Sequence, residues 1–153
     1  MAKQATSTFA YEAYVRSSAG EVWEAITDGK QTAQYFYGSP VRSTLQVGGE
    51  FDYLTPDGKG KMAEATIAEI EPKRRIVLDK YRLLYHPGVA NDTPSREAWE
   101  ITAMGDMCKV AVIHDLLTAD GPTYNDVASG IPLIVSSLKS LLETGKALPM
   151  QTE

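Results

Sequence analysis

The segment from Ser129 to Gly145 constrains this chain most. Its apolar residues fall at Ile131, Ile134, Val135, Leu138, Leu141 and Leu142, the i, i+3, i+4, i+7 stripe of an amphipathic helix. Gly145 follows the last apolar position, where a helix end favours a residue tolerant of positive φ. Pro132 leaves two readings of the start: a helix from about Asn125 that kinks at the proline, or one capped by Ser129 with the proline in its first turn. A helix this long with one apolar face needs a surface to cover. Almost everything before it reads as strand.

Residues 8–16 carry the aromatic and β-branched content of a first strand. Ser18-Ala19-Gly20-Glu21 has capping-box spacing, with Val22, Trp23 and Ile26 as the apolar face of a first helix. A second short helix is read from about Lys30 to Phe36. Strands follow near 41–46, 50–55, 60–71 and 74–85, separated by turn signals at Gly48-Gly49, Pro56-Asp57-Gly58 and Glu71-Pro72-Lys73. His86 to Pro94 reads as a loop. Strands near 96–104 and 107–117, joined at Gly105-Asp106, predict a hairpin. The order β-α-α-β-β-β-β-β-β-α predicts an antiparallel meander with its helices on one face, an α+β class.

The chain has 153 residues, enough for one domain that buries roughly 70% of its unfolded surface. No linker, repeat or low-complexity tract divides it, so 1–153 is read as a single domain with a core of about 8–148. A net charge of -5 argues against a nucleic-acid surface. Lys73-Arg74-Arg75 is the densest basic cluster, at a turn. One cysteine, Cys108, excludes an internal disulfide and a cysteine zinc site; beside a hairpin turn it lacks the setting of an activated thiolate. Two histidines, His86 and His114, exclude a multi-histidine metal centre. The first residues lack the apolar core of a signal peptide, and no apolar run approaches the ~20 residues of a membrane span. These features predict a cytoplasmic, cofactor-free protein.

Several segments together resemble one family. Gly20-Glu21-Val22-Trp23-Glu24-Ala25-Ile26-Thr27-Asp28 resembles the opening of START-like, Bet v 1-like proteins, in particular the branch named for the activator of the Hsp90 ATPase. Thr32 to Gly38, Gly48-Gly49-Glu50-Phe51-Asp52-Tyr53, Ala68 to Ile76, Pro94 to Ile101 and Val110 to Asp115 are similar to that branch's later motifs. Ser136-Ser137-Leu138-Lys139-Ser140-Leu141-Leu142-Glu143-Thr144-Gly145 is close to its signature. The likeness runs from about Phe9 to Leu148. It departs at Gly130-Ile131-Pro132, where the branch has Gly-Trp-Pro, and in the 74–85 strand, where Tyr81 after Lys80 supplies the aromatic. The resemblance implies a helix-grip fold: a curved seven-stranded antiparallel sheet around a long C-terminal helix, with a cavity between them.

Alternation then selects candidate residues. With Trp99 and Ile101 facing the helix, Glu97 and Ala103 share that face. Val110, Val112 and His114 match them on the partner strand, and Phe51 and Tyr53 on an earlier one. The candidate ligand-binding set is Phe51, Tyr53, Glu97, Trp99, Ile101, Val112, His114 and Ile134. His114 is either a satisfied core histidine or a ligand donor or base paired with Glu97 or Asp115. Glu97 is either a buried carboxylate or a rim residue. Tyr35, Tyr37, Tyr53, Tyr81 and Tyr85 either offer hydroxyls to a cavity or sit on the convex sheet face.

Three functions compete. The first is binding of a small hydrophobic or aromatic molecule. The second, implied by the resemblance, is a co-chaperone-like surface for an Hsp90-type ATPase; a second copy of the chain is a further partner to consider. The third is a cyclase-like or hydrolase-like enzyme using the same cavity. A sealed core favours the surface reading. An open cavity favours the other two, and an open cavity with His114 near Glu97 or Asp115 favours the third.

Overall fold

The computed structural model describes residues 5–149. Strand β1 (Thr6–Val15) leads into α1 (Ala19–Thr27) and α2 (Gly29–Tyr35). Then come β2 (Val41–Ser43), β3 (Glu50–Leu54), β4 (Lys61–Glu71) and β5 (Arg75–Leu83). A helical turn, α3 (Pro87–Ala90), precedes β6 (Ser95–Met104), β7 (Met107–Thr118) and α4 (Pro122–Thr144). The strands form one seven-stranded antiparallel sheet in the order β1-β7-β6-β5-β4-β3-β2. The meander predicted from the turn spacing is therefore present, and β1 closes it by pairing with β7.

Local chemistry explains the element ends. Ser18 Oγ accepts from the Glu21 N–H at 3.2 Å and donates to the Glu21 carboxylate at 3.0 Å, so the capping spacing is realised. Gly105 has a φ of 65°, as the first position of a two-residue hairpin loop requires. Gly145 ends α4 in the left-handed region with φ 82°, its N–H donating to the Leu141 carbonyl at 2.9 Å.

Four expectations shift. The strand expected over 41–46 stops at Ser43, and Leu45 adopts a left-handed φ of 55°. The loop after β5 contains the turn α3. The last helix begins at Pro122, earlier than either reading of its start, and runs through Pro132 unbroken. Proline suits that first helical position, whose N–H has no partner within the helix. Ala103, expected on the inward face, is exposed, as are its neighbours Thr102 and Met104. The partner of Ala103 on β7, Cys108, is buried with its thiol at the Ser17 carbonyl, so at this end of the hairpin β7 is covered while the end of β6 is not.

The core lies between α4 and the concave sheet. Val135 and Leu138 on α4 are fully buried, with Ile131 and Ile134 nearly so. Phe51, Ile76, Leu78, Trp99, Val110 and Val112 meet them from the sheet.

Candidate functional site

Between α4 and the far half of the sheet lies a cavity of about 670 Å³, within the size range of small-molecule sites. Val127, Gly130, Ile131 and Ile134 form its helix wall. Tyr53, Ala63, Tyr81, Leu83 and Glu97 form the sheet wall. Tyr37, Thr55, Pro56, Tyr85, Asp126 and Ser129 surround the more exposed end, and Phe36 and Met62 complete the lining. Tyr53, Tyr81, Glu97, Ile131 and Ile134 are buried whereas Tyr85 is half exposed, which gives the cavity a floor and a mouth.

Backbone irregularities shape the sheet wall. Across β5, Leu78 opposes Glu97 and Tyr81 opposes Ser95, so one extra residue is accommodated there. Lys80 takes a left-handed φ of 52° at this bulge. A bulge re-aims the side chains that follow it, and Tyr81 is the next residue. A second one, in β7, lies between His114 and Leu117, with Leu116 at φ 58°. Both flank the floor of the cavity.

Behind that floor runs a chain of buried polar groups. Ser95 Oγ lies 2.6 Å from His114 Nε2, and Glu97 Oε2 lies 2.9 Å from His114 Nδ1. Trp99 Nε1 donates to Glu97 Oε1 at 2.8 Å. An ionised carboxylate only accepts, so Nδ1 carries the hydrogen; in the neutral ring Nε2 then accepts from the Ser95 hydroxyl. Tyr81 stands edge-on to the imidazole, with ring centroids 4.8 Å apart. Ser95, Glu97 and His114 are each at most 2% exposed. Of the three, only Glu97 lines the cavity. The order serine, histidine, carboxylate matches a nucleophile relay, but Ser95 lies outside the cavity wall, where no substrate meets its Oγ.

The tyrosines are electrostatically tied to Glu97. Burial first, then the Glu97 charge, pushes the Tyr53 and Tyr81 hydroxyls well above the ordinary tyrosine range. Both remain protonated donors. Tyr53 stacks on Phe36 at 4.2 Å. At the mouth, the Tyr85 hydroxyl donates to Asp126, and burial together with that carboxylate raises it too. His86 Nε2 lies 3.5 Å from the same carboxylate.

Of the candidate ligand-binding set, Tyr53, Glu97 and Ile134 line the cavity. Phe51, Trp99, Ile101 and Val112 lie in the packed core, and His114 stands behind Glu97. Tyr37, Tyr53, Tyr81 and Tyr85 all reach the cavity, whereas Tyr35 is buried elsewhere and donates to the Ala25 carbonyl at 2.8 Å. Asp126, Val127 and Gly130 did not emerge from the sequence as site residues, because the apolar stripe was read only from Ile131. Extending the 131, 134, 138 stripe back one turn reaches Val127. Cys108 is buried, its thiol 3.2 Å from the Ser17 carbonyl oxygen, and burial pushes its pKa up. No helix among the described residues is long and apolar enough to cross a membrane.

Known structures share this architecture. CalU16 from Micromonospora echinospora is 18% identical with a TM-score of 0.72, over 96% of this chain and 86% of that one. MLL2253 from Mesorhizobium loti is 18% identical with a TM-score of 0.75, over 90% and 97%. The Aha1 dimer from Colwellia psychrerythraea is 12% identical with a TM-score of 0.73, over 92% and 99%. At these identities the likeness is one of fold. No protein with a curated description matches the chain in sequence. The profile of one family matches residues 16–143, a span that includes both walls of the cavity and the Ser95–His114–Glu97 chain. The protein therefore belongs to the family described as activator of Hsp90 ATPase homolog 1-like proteins.

Proposed function

We propose that this protein binds a small hydrophobic or aromatic molecule in the cavity between α4 and the sheet. The observation that carries the reading is the cavity itself. It is large enough for a ligand, walled by aliphatic and aromatic side chains, and closed at its floor by a few convergent polar groups. An interior filled by side chains would have turned the argument toward the outer surface and an Hsp90-type partner.

A second reading has one observation in its favour. Glu97 faces the cavity with His114 directly behind it, the pairing that an acid–base site uses. In that reading Glu97 exchanges a proton with the bound molecule and His114 holds the carboxylate in place. Turnover of a ligand, lost in Glu97→Gln while binding persists, separates this reading from simple binding.

The test of binding uses two measurements. A native mass spectrum of freshly purified protein is searched for a co-purifying mass. The neutral dye N-phenyl-1-naphthylamine is titrated in, and saturable enhancement at one dye per chain is expected. Ile134→Trp fills the cavity and is expected to abolish the enhancement, with circular dichroism confirming the fold. No bound mass and no saturable dye binding would overturn the reading and leave the surface role as the better account.

A further inference from the structure

The lining of the cavity is asymmetric in charge. It contains two carboxylates, Glu97 and Asp126, and no lysine or arginine. It also contains four tyrosines and a phenylalanine. The cations near this end of the sheet are engaged elsewhere: Arg42 and Lys61 pair with Asp52, and Arg82 Nη2 donates to the Ala90 carbonyl at 2.6 Å. A carboxylate pair alone would not define a site. Here, however, the hydroxyls of Tyr53 and Tyr81 point to one. Both residues are more than nine-tenths buried and line the cavity, and their hydroxyl oxygens are not among the sealed, unpartnered side-chain atoms of the described residues, so both open onto the cavity space. A hydroxyl that opens onto a cavity can donate to or accept from a molecule there.

Glu97 has spare capacity of the same kind. Its two oxygens take one hydrogen bond each, from Trp99 and from His114, whereas a carboxylate offers about four acceptor sites. The unused lone pairs belong to the one member of the polar chain that faces the cavity. Neither Trp99 nor His114 lines the cavity, and no lysine, arginine or histidine of the lining opposes the carboxylate from that side. The aromatic faces around it attract cations through their quadrupoles. At the mouth, Asp126 adds negative charge, partly shared with Tyr85 and His86.

Building on the ligand-binding reading above, we infer that the cavity selects organic cations: hydrophobic amines whose ammonium group reaches Glu97, while their apolar body lies against Ile131, Ile134 and the tyrosine rings. The Tyr53 and Tyr81 oxygens accept from the ammonium, and Glu97 opposes its charge. A carboxylate of the same shape meets two negative charges and no positive side chain on the wall, so fatty-acid-like and other anionic ligands are disfavoured.

Three ligands of one shape test this. 1-Naphthylmethylamine, 1-naphthalenemethanol and 1-naphthoate are compared by equilibrium dialysis at pH 7.5 and moderate salt. The expected order is amine, then alcohol, then carboxylate, with at least a tenfold spread between first and last. In Glu97→Gln the ratio of amine to alcohol affinity is expected to shrink severalfold. Asp126→Asn, at the exposed mouth, is expected to reduce the same ratio by a smaller factor. Should Glu97→Gln fail to fold, the three ligands on the native chain and on Asp126→Asn decide the matter. Alcohol binding as tight as that of the amine, or naphthoate binding as tight, overturns the cation inference but leaves the cavity a ligand site. Binding of none of the three, together with the absence of dye binding, overturns both.

Discussion

Glu97 and His114 face each other directly across the β6–β7 hairpin, carboxylate Oε2 2.9 Å from imidazole Nδ1, and neither is more than 1% exposed. Two titratable side chains lie where the strand pattern otherwise places aliphatic ones. Each has further partners: Ser95 on the imidazole, Trp99 on the carboxylate. Satisfied in this way, the group stiffens the cavity floor and fixes the orientation of Glu97.

His114→Phe tests that role. The ring volume is nearly kept, but the Ser95 hydroxyl loses its partner and Glu97 Oε2 loses its donor inside the core. Removing one member of a buried ionic pair costs about 3–5 kcal/mol. Urea melts are expected to show a loss of that order. The double variant with Glu97→Gln is expected to lose less than the sum of the two single changes, because the second change removes the stranded charge. A loss under half a kilocalorie in His114→Phe would mean that the chain of hydrogen bonds contributes little.

Leu138 anchors the grip. It is fully buried between α4 and the sheet and belongs to the stripe that identifies the helix. Leu138→Ala is expected to cost about 2–5 kcal/mol, the range for large-to-small changes in a core that relaxes only in part. Chemical denaturation reads this directly.

The N-terminus of α4 is capped from a distance. Gly121 has no side chain to offer, and Asp92 Oδ2 accepts from the Thr123 N–H at 3.2 Å instead. Burial works against the Asp92 charge, but hydrogen bonds from Thr123, Thr93 and Thr118 outweigh it and hold the carboxyl below the usual aspartate range. A lowered folded-state pKa stabilises the fold at pH values above the unfolded-state value, about 3.9. That contribution disappears as the pH falls through the folded-state value. Asp92→Asn is expected to cost about 0.5–2 kcal/mol at pH 7, by analogy with lost helix caps. The gap between variant and native chain is expected to narrow below about pH 4. A gap that is constant from pH 7 to pH 3 would show that the charge of Asp92 is not what caps the helix.

The fold was legible because its signals are local and repeated. Turn residues mark nearly every strand end, and the 131–142 stripe has only one helical reading. Inward phase was legible too: Phe51, Tyr53, Trp99, Val110, Val112 and His114 are all buried. The boundary between core and cavity was not. Alternation reports the face of a residue, not whether a neighbour fills the space before it, so Trp99 and Val112 pack in the core while Tyr53 lines a void. Tyr81 reaches that void past a bulge at Lys80, a non-glycine residue in a left-handed conformation, which no strand pattern announces. Ser95 was unreadable for another reason. Its partner stands on the next strand, and the contact exists only once the hairpin register is set.

Gly130 offers the most direct handle on the cavity. Glycine in the middle of a helix costs up to about 1 kcal/mol relative to alanine, yet here it lines the cavity wall. A Cβ built at this position meets only the Tyr37 hydroxyl oxygen, at 3.9 Å, an ordinary contact. The space that glycine leaves open is therefore available to a ligand, not required by the packing. Gly130→Ala is expected to stabilise the protein by up to about 1 kcal/mol and to leave binding of N-phenyl-1-naphthylamine nearly unchanged. Gly130→Phe places a ring where the ligand would lie. It is expected to fold, to melt no lower than the native chain by more than about 1–3 kcal/mol of overpacking, and to lose dye binding by at least tenfold. A folded Gly130→Phe that binds the dye as well as the native chain would locate the binding site elsewhere on the molecule. Equal loss of binding in the alanine variant would instead assign glycine a conformational role in ligand entry, because the alanine methyl group is too small to fill the void.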